Sequence, residues 1–117
     1  MGFSFDINHL PVASVITLRG RITSEIDLEL ISDEIKKMIE KNKSKLVFNA
    51  FELSYINSTG INLFMKTLAK ARTNNGDLVF CGISGNVENL FKIAKLNEIY
   101  TIYANEKDAV NHFKNKE

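Results

Sequence analysis

The residues of this chain that could do chemistry are few, and the stretch that gathers them is Asn57-Ser58-Thr59-Gly60-Ile61. Two hydroxyls follow an amide side chain just ahead of Ile61, Phe64, Leu68 and Ala71, which recur at helical spacing. That pattern makes Asn57 the N-cap of a helix, its side-chain oxygen accepting a backbone N–H two or three residues on, with Ser58 and Thr59 in the first turn. The N-terminal end of a helix carries about half an elementary positive charge and tolerates an anion. A phosphate on Ser58 would add about −1.5 to −2 charges at that place. Ser and Thr in a first turn also serve as plain capping residues, and these few positions alone leave both readings open.

Other constellations fail on spacing. The two histidines, His9 and His112, lie near opposite ends of the chain and read as surface residues. The sequence has no GxSxG elbow, Walker loop, GxGxxG, HExxH or CxxC. Ser58 as a nucleophile would need a base, and none stands near it in sequence. Cys81 is the single cysteine, set in an apolar run, so it forms no internal disulfide, offers no metal spacing and reads as a buried thiol. No metal and no cofactor is expected, and the chain is not expected to be an enzyme. Lys66, Lys70 and Arg72 read as a solvated helix face.

The elements that must position Ser58 follow from periodicity. A length of 117 residues with 44% hydrophobic and 25% charged suits one globular domain spanning residues 1–117. Phe3, Phe5 and Ile7 alternate with polar residues, and Val12, Val15, Ile16 and Leu18 follow the Pro11 turn, so the first twenty residues read as a hairpin ended by Gly20. Ser24 caps a helix running to about Lys41, whose apolar face is Leu28, Ile31, Ile35, Met38 and Ile39 and whose charges read as a wet surface. A strand over 45–49, a polar loop and the helix opening at Ser58 come next. Asn74-Asn75-Gly76 ends that helix, since Asn and Gly tolerate the left-handed conformation.

Leu78 to Cys81 is then a strand, Val87, Leu90, Phe91 and Ala94 mark a helix, Tyr100 to Tyr103 a last strand, and Asn105 opens a terminal helix carrying Ala109, Val110 and Phe113. The order ββαβαβαβα predicts an α/β fold, a four- to five-stranded mixed sheet, largely parallel, with helices packed on it. Leu46, Phe48, Ile61, Phe64, Leu68, Leu78, Phe80, Leu90 and Phe91 are expected in its core, with Ser58 exposed at the carboxyl edge of the strand ending at Asn49. Fifteen basic residues against fourteen acidic give a net charge of +1, which points to neither nucleic acid nor an anionic membrane. With no leader-like start and no apolar span of about eighteen residues, the chain reads as cytoplasmic, without membrane insertion.

The order of elements, with Leu46-Val47-Phe48-Asn49, Leu53 to Ile61, Asn75-Gly76-Asp77-Leu78 and Val87 to Leu96, resembles the STAS domain of bacterial anti-sigma factor antagonists over nearly the whole chain. The family's signature is an Asp-Ser-[Ser/Thr/Ala]-Gly-[Leu/Ile] turn opening the second helix. Its first Ser matches Ser58. The resemblance implies a phosphoprotein that regulates transcription by partner switching. Unphosphorylated, it binds an anti-sigma factor with serine kinase activity and frees the sigma factor; phosphorylation at Ser58 ends that binding, and a serine phosphatase resets it. It also implies a partner-binding surface of Asn57, Ser58, Thr59, Gly60 and Asn62 with the adjoining Arg21, Thr23 and Asn49. The chain departs from the family at four usual acids: Arg21 and Thr23 stand in Gly20-Arg21-Ile22-Thr23, and Asn49 and Asn57 replace aspartates. Arg21 is expected to favour a partner more acidic than the family's usual one. A second branch of the same fold, in which the turn docks on an ABC-type ATPase in lipid transport without phosphorylation, is the alternative; an enzyme with a Ser58 nucleophile is the third.

Overall fold

In the computed structural model, which describes residues 2–114, the hairpin comes first. β1 (Phe3–His9) pairs antiparallel with β2 (Ser14–Ile22) from Phe3 opposite Gly20 to His9 opposite Ser14. There follow α1 (Glu25–Glu40), β3 (Lys45–Ile56), α2 (Ser58–Thr73), β4 (Asp77–Cys81), α3 (Gly85–Ile93), a 3-10 turn (Leu96–Glu98), β5 (Thr101–Tyr103) and α4 (Glu106–Lys114). The sheet has five strands in chain order, β1-β2-β3-β4-β5, with β2 to β5 parallel and β3 in the middle.

The local signals act as expected at both long helices. Ser24 caps α1, its Oγ accepting from the Asp27 N–H at 3.5 Å, and Leu28, Ile31, Ile35, Met38 and Ile39 are buried. α2 stops at Asn74, followed by Asn75 at φ 65°, and a side chain on Gly76 would collide with the Ser44 carbonyl. One sheet face carries α1, α2 and α3 over a cluster of Phe48, Phe64, Phe80, Phe91 and Tyr100. Ring centroids there stand 5.0 Å apart for Phe64–Phe80 and Phe80–Tyr100, in edge-to-face packing. The other face carries α4, whose Ala109 and Phe113 close over Val15, Val47, Val79 and Cys81.

Several expectations change. β3 does not end at Asn49 but runs on to Ile56 with two bulges: Thr17 faces Asn49 but Arg19 faces Glu52, and Gly20 faces Leu53 but Arg21 faces Tyr55. The extra residues break the two-residue alternation, leaving Ala50, Leu53 and Ile56 buried three apart, a spacing that does not read as strand. Gly20, expected to end β2, lies inside it at φ +89°. Ile61 and Leu90 are half-buried at the core margin, Ala94 is exposed, and Tyr100 precedes β5. His112 is no surface residue: its Nδ1 meets the Tyr103 hydroxyl at 2.8 Å and its Nε2 meets Asp77 at 3.3 Å, tying α4 to the sheet.

Candidate functional site

Ser58 is the first residue of α2, two positions beyond the end of the central strand, and it is exposed. Asn57 builds the turn. Its backbone N–H donates to Ile22 O at 3.2 Å, its Nδ2 donates to Thr23 O at 2.9 Å, and its Oδ1 accepts the Thr59 N–H at 3.0 Å. The end of β2 is thereby tied to the start of α2. Gly60 sets how closely the helix approaches: a Cβ there would stand 3.1 Å from Ile56 Cβ and 3.2 Å from Ile22 Cγ2, tighter than ordinary contact. With no acid in the first turn of α2, an anion on Ser58 meets no neighbouring carboxylate on its own helix.

Asn57, Ser58, Thr59, Gly60, Asn62 and Thr23 thus come together around one turn. Arg21 is at its rim. Because Ile22 and Ile56 point to the helix-covered face, Arg21 and Tyr55 project from the opposite one, where the guanidinium lies 4.5 Å from the Tyr55 ring centroid. Asn49 stands apart. It is seven residues before the end of β3, roughly 20 Å away at the usual strand rise, and turned toward α4, where Nδ2 donates to Glu106 at 3.0 Å and Oδ1 accepts the Phe51 N–H at 3.0 Å.

Beside the turn, α1 and α2 enclose an open groove of about 460 Å³ lined by Glu25, Leu28, Glu29, Ser32, Asp33, Thr59, Asn62, Leu63 and Lys66. The acids of α1, read from sequence as wet surface, therefore border the candidate site. A signal existed: from Ile22 to Ile35 the chain has five acids, Glu25, Asp27, Glu29, Asp33 and Glu34, and no Lys or Arg. Lys66 lines this groove and, with Lys70, the next one along α2.

Both histidines lie at the far end of the sheet. His9 bonds Ser14 at the start of β2, at 2.8 Å, and His112 bonds Asp77 at the start of β4. Cys81 is fully buried, and burial, with a smaller contribution from the Glu106 carboxylate, pushes its thiol up to about 11. Among the described residues no group of His, Cys, Asp and Glu is arranged to hold a metal ion, and no helix is long and apolar enough to cross a membrane.

Comparison with known proteins bears on this geometry. A model of the STAS domain family matches residues 4–109. The chain is similar to the protein named putative anti-sigma factor antagonist BtrV of Bordetella bronchiseptica, at 25% identity over 95 residues, 81% of this chain and 80% of that protein. It is 26% identical over 82 residues to the anti-sigma-B factor antagonist of Staphylococcus aureus, covering 68% of this chain and 76% of that one. Among solved structures, the unphosphorylated form of the anti-sigma factor antagonist SpoIIAA superposes with a TM-score of 0.82 at 20% identity, over 96% of this chain and 97% of that one. The phosphorylated form of the Bacillus SpoIIAA superposes with a TM-score of 0.74 at 20% identity, over 93% and 98%. These two likenesses establish the shared fold.

Proposed function

The chain belongs to the STAS domain family, and from that membership we propose that it is an anti-sigma factor antagonist working by partner switching at Ser58. Unphosphorylated, it binds an anti-sigma factor that is also a serine kinase. The kinase transfers the γ-phosphoryl group of ATP to Ser58 Oγ, releasing ADP and taking up the hydroxyl proton; the modified chain then dissociates, and a serine phosphatase restores it. The observation that carries this reading is the exposed Ser58 at the first position of α2, beyond the carboxyl end of the central strand, in a turn whose backbone Asn57 already holds. The names of the BtrV and Staphylococcus aureus relatives support the same role.

The physical action of the phosphate follows from its place. A helix N-terminus favours an anion by about 0.3 to 1 kcal/mol, so the modification leaves the domain folded. A partner surface shaped for a hydroxyl must instead accept a doubly charged group, with desolvation and steric costs on the order of several kcal/mol. A hydrolytic role for Ser58 finds no support in the site, because both histidines lie at the other end of the sheet. The test is tandem mass spectrometry of the full chain after incubation with its cognate kinase and ATP. One phosphate on Ser58, absent from Ser58→Ala, is expected; phosphate on Thr59 alone, or none with an active kinase, overturns the proposal.

A further inference from the structure

Ile26 and Leu30 of α1 are 79% and 63% exposed, and they sit one helical turn apart on a stripe separate from the residues that pack α1 on the sheet. Holding the helix does not require them. Their stripe lies in the acidic segment of α1, and Glu25, Glu29 and Asp33 beside it border the groove whose opposite wall includes Thr59 and Asn62, adjoining Ser58. The surface therefore offers two large apolar side chains flanked by carboxylates, against one cation, Lys66, in the lining.

We infer that this face docks a basic amphipathic helix of the anti-sigma partner, an inference that rests on the antagonist reading and names the chemistry of the segment recognised. Its apolar stripe would lie on Ile26 and Leu30, and its Lys or Arg flank over Glu25, Glu29 and Asp33. Ile26 and Leu30 stand on the rim outside the groove and the carboxylates line it, so the apolar anchors would supply affinity and the charges orientation. Charge selects among the possible occupants. A second copy paired two-fold about Ile26 and Leu30 would set one acidic segment against the other, and an anionic lipid surface would be repelled. The partner's remaining surface would reach the Ser58 turn from this anchor, and Arg21, on the other sheet face, takes no part in the contact.

The test uses the isotopically labelled full chain and, as probe, a synthetic amphipathic helix of Lys and Leu with its leucines on one stripe. Two control peptides accompany it, one with Glu for each Lys and one of the same composition scrambled. Saturable amide shifts confined to residues 25–33 and 59–66 are expected with the first peptide alone. Ile26→Ser with Leu30→Ser, and separately Glu29→Lys with Asp33→Lys, should each weaken binding about tenfold at unchanged denaturation midpoints, since all four positions are exposed. Glu88→Lys with Glu98→Lys, also exposed but outside the groove, should change it less than twofold. Equal binding of either control peptide, equal loss from the Glu88 and Glu98 pair, or self-association of the unmodified chain that Ile26→Ser with Leu30→Ser abolishes would overturn the inference. Ser58→Ala should bind the probe unchanged. Absence of phosphate on Ser58 would thus sink the switch while leaving the docking face standing, and failure of the peptide mapping would do the reverse.

Discussion

Asn57 shows how one side chain can set a site. Its Oδ1 satisfies a first-turn amide that α2 cannot satisfy itself, while its Nδ2 binds the Thr23 carbonyl across the gap from β2. Asn57→Ala should lose about 0.5 to 2 kcal/mol of stability as a cap deletion, read as a lower denaturation midpoint. Asn57→Asp separates the two roles. An aspartate caps as well, but it has no donor for Thr23 O at neutral pH, so a smaller loss of about 0.5 to 1.5 kcal/mol is expected. An unchanged midpoint in Asn57→Asp would mean that the Thr23 contact is energetically idle.

Tyr100 poses the opposite case. Its hydroxyl is buried with no hydrogen-bond partner among the described residues, and burial, outweighing the opposing charge of Arg72, pushes its pKa up to about 12. Tyr100→Phe should therefore be neutral or stabilising by about 1 kcal/mol, since it removes an orphan polar group and keeps the ring packing. The sign with pH is fixed. A phenol that ionises near 10 when unfolded and about 12 when folded leaves stability intact below pH 10 and erodes it as pH rises toward 12. Cys81 adds the same trend from about 9 to about 11. Alkaline melts should show stability falling over these windows, with a shallower decline in Tyr100→Phe; an identical slope in that variant would contradict the assignment.

At the scale of elements, the site is a junction between β3 and α2 that depends on a missing side chain. Gly60→Leu would drive atoms into Ile22 and Ile56 and should cost about 1 to 3 kcal/mol by overpacking. The accompanying readout is faster amide exchange in the first turns of α2, with β4 unaffected; uniform exchange across both would place the strain elsewhere. Much of this junction was legible in the sequence. Asn57 as cap, the buried faces of α1 and α2, and the stop at Asn74-Asn75-Gly76 all follow from local rules that involve no distant partner. The far half of β3 was not legible, because two bulges replace alternation with a spacing of three. The acidic run of α1 was visible, but not the groove it lines, since Glu25 and Asn62 become neighbours only when adjacent parallel strands set α1 beside α2. His112 escaped for the same reason: its partners Asp77 and Tyr103 come from different strands.

For the molecule as a whole, the division of labour follows the two faces of the sheet. The phenylalanine cluster under α1, α2 and α3 anchors the helices that present Ser58 and the groove, and α4 closes the other face over a smaller cluster of Val, Ala, Cys and Phe. The fixed frame suits the proposed surface switch, because a phosphate at the exposed end of α2 would lie outside the core. Two titrations test this most directly: calorimetric binding of the ADP-loaded anti-sigma kinase to the unmodified chain and to the chain phosphorylated at Ser58, each paired with a thermal melt. The expected result is a loss of affinity of a hundredfold or more, on the order of 3 kcal/mol, with melting temperatures of the two forms within a few degrees. Equal affinity of the two forms, or a loss of binding accompanied by unfolding of the phosphorylated chain, would contradict a switch that acts through the interface.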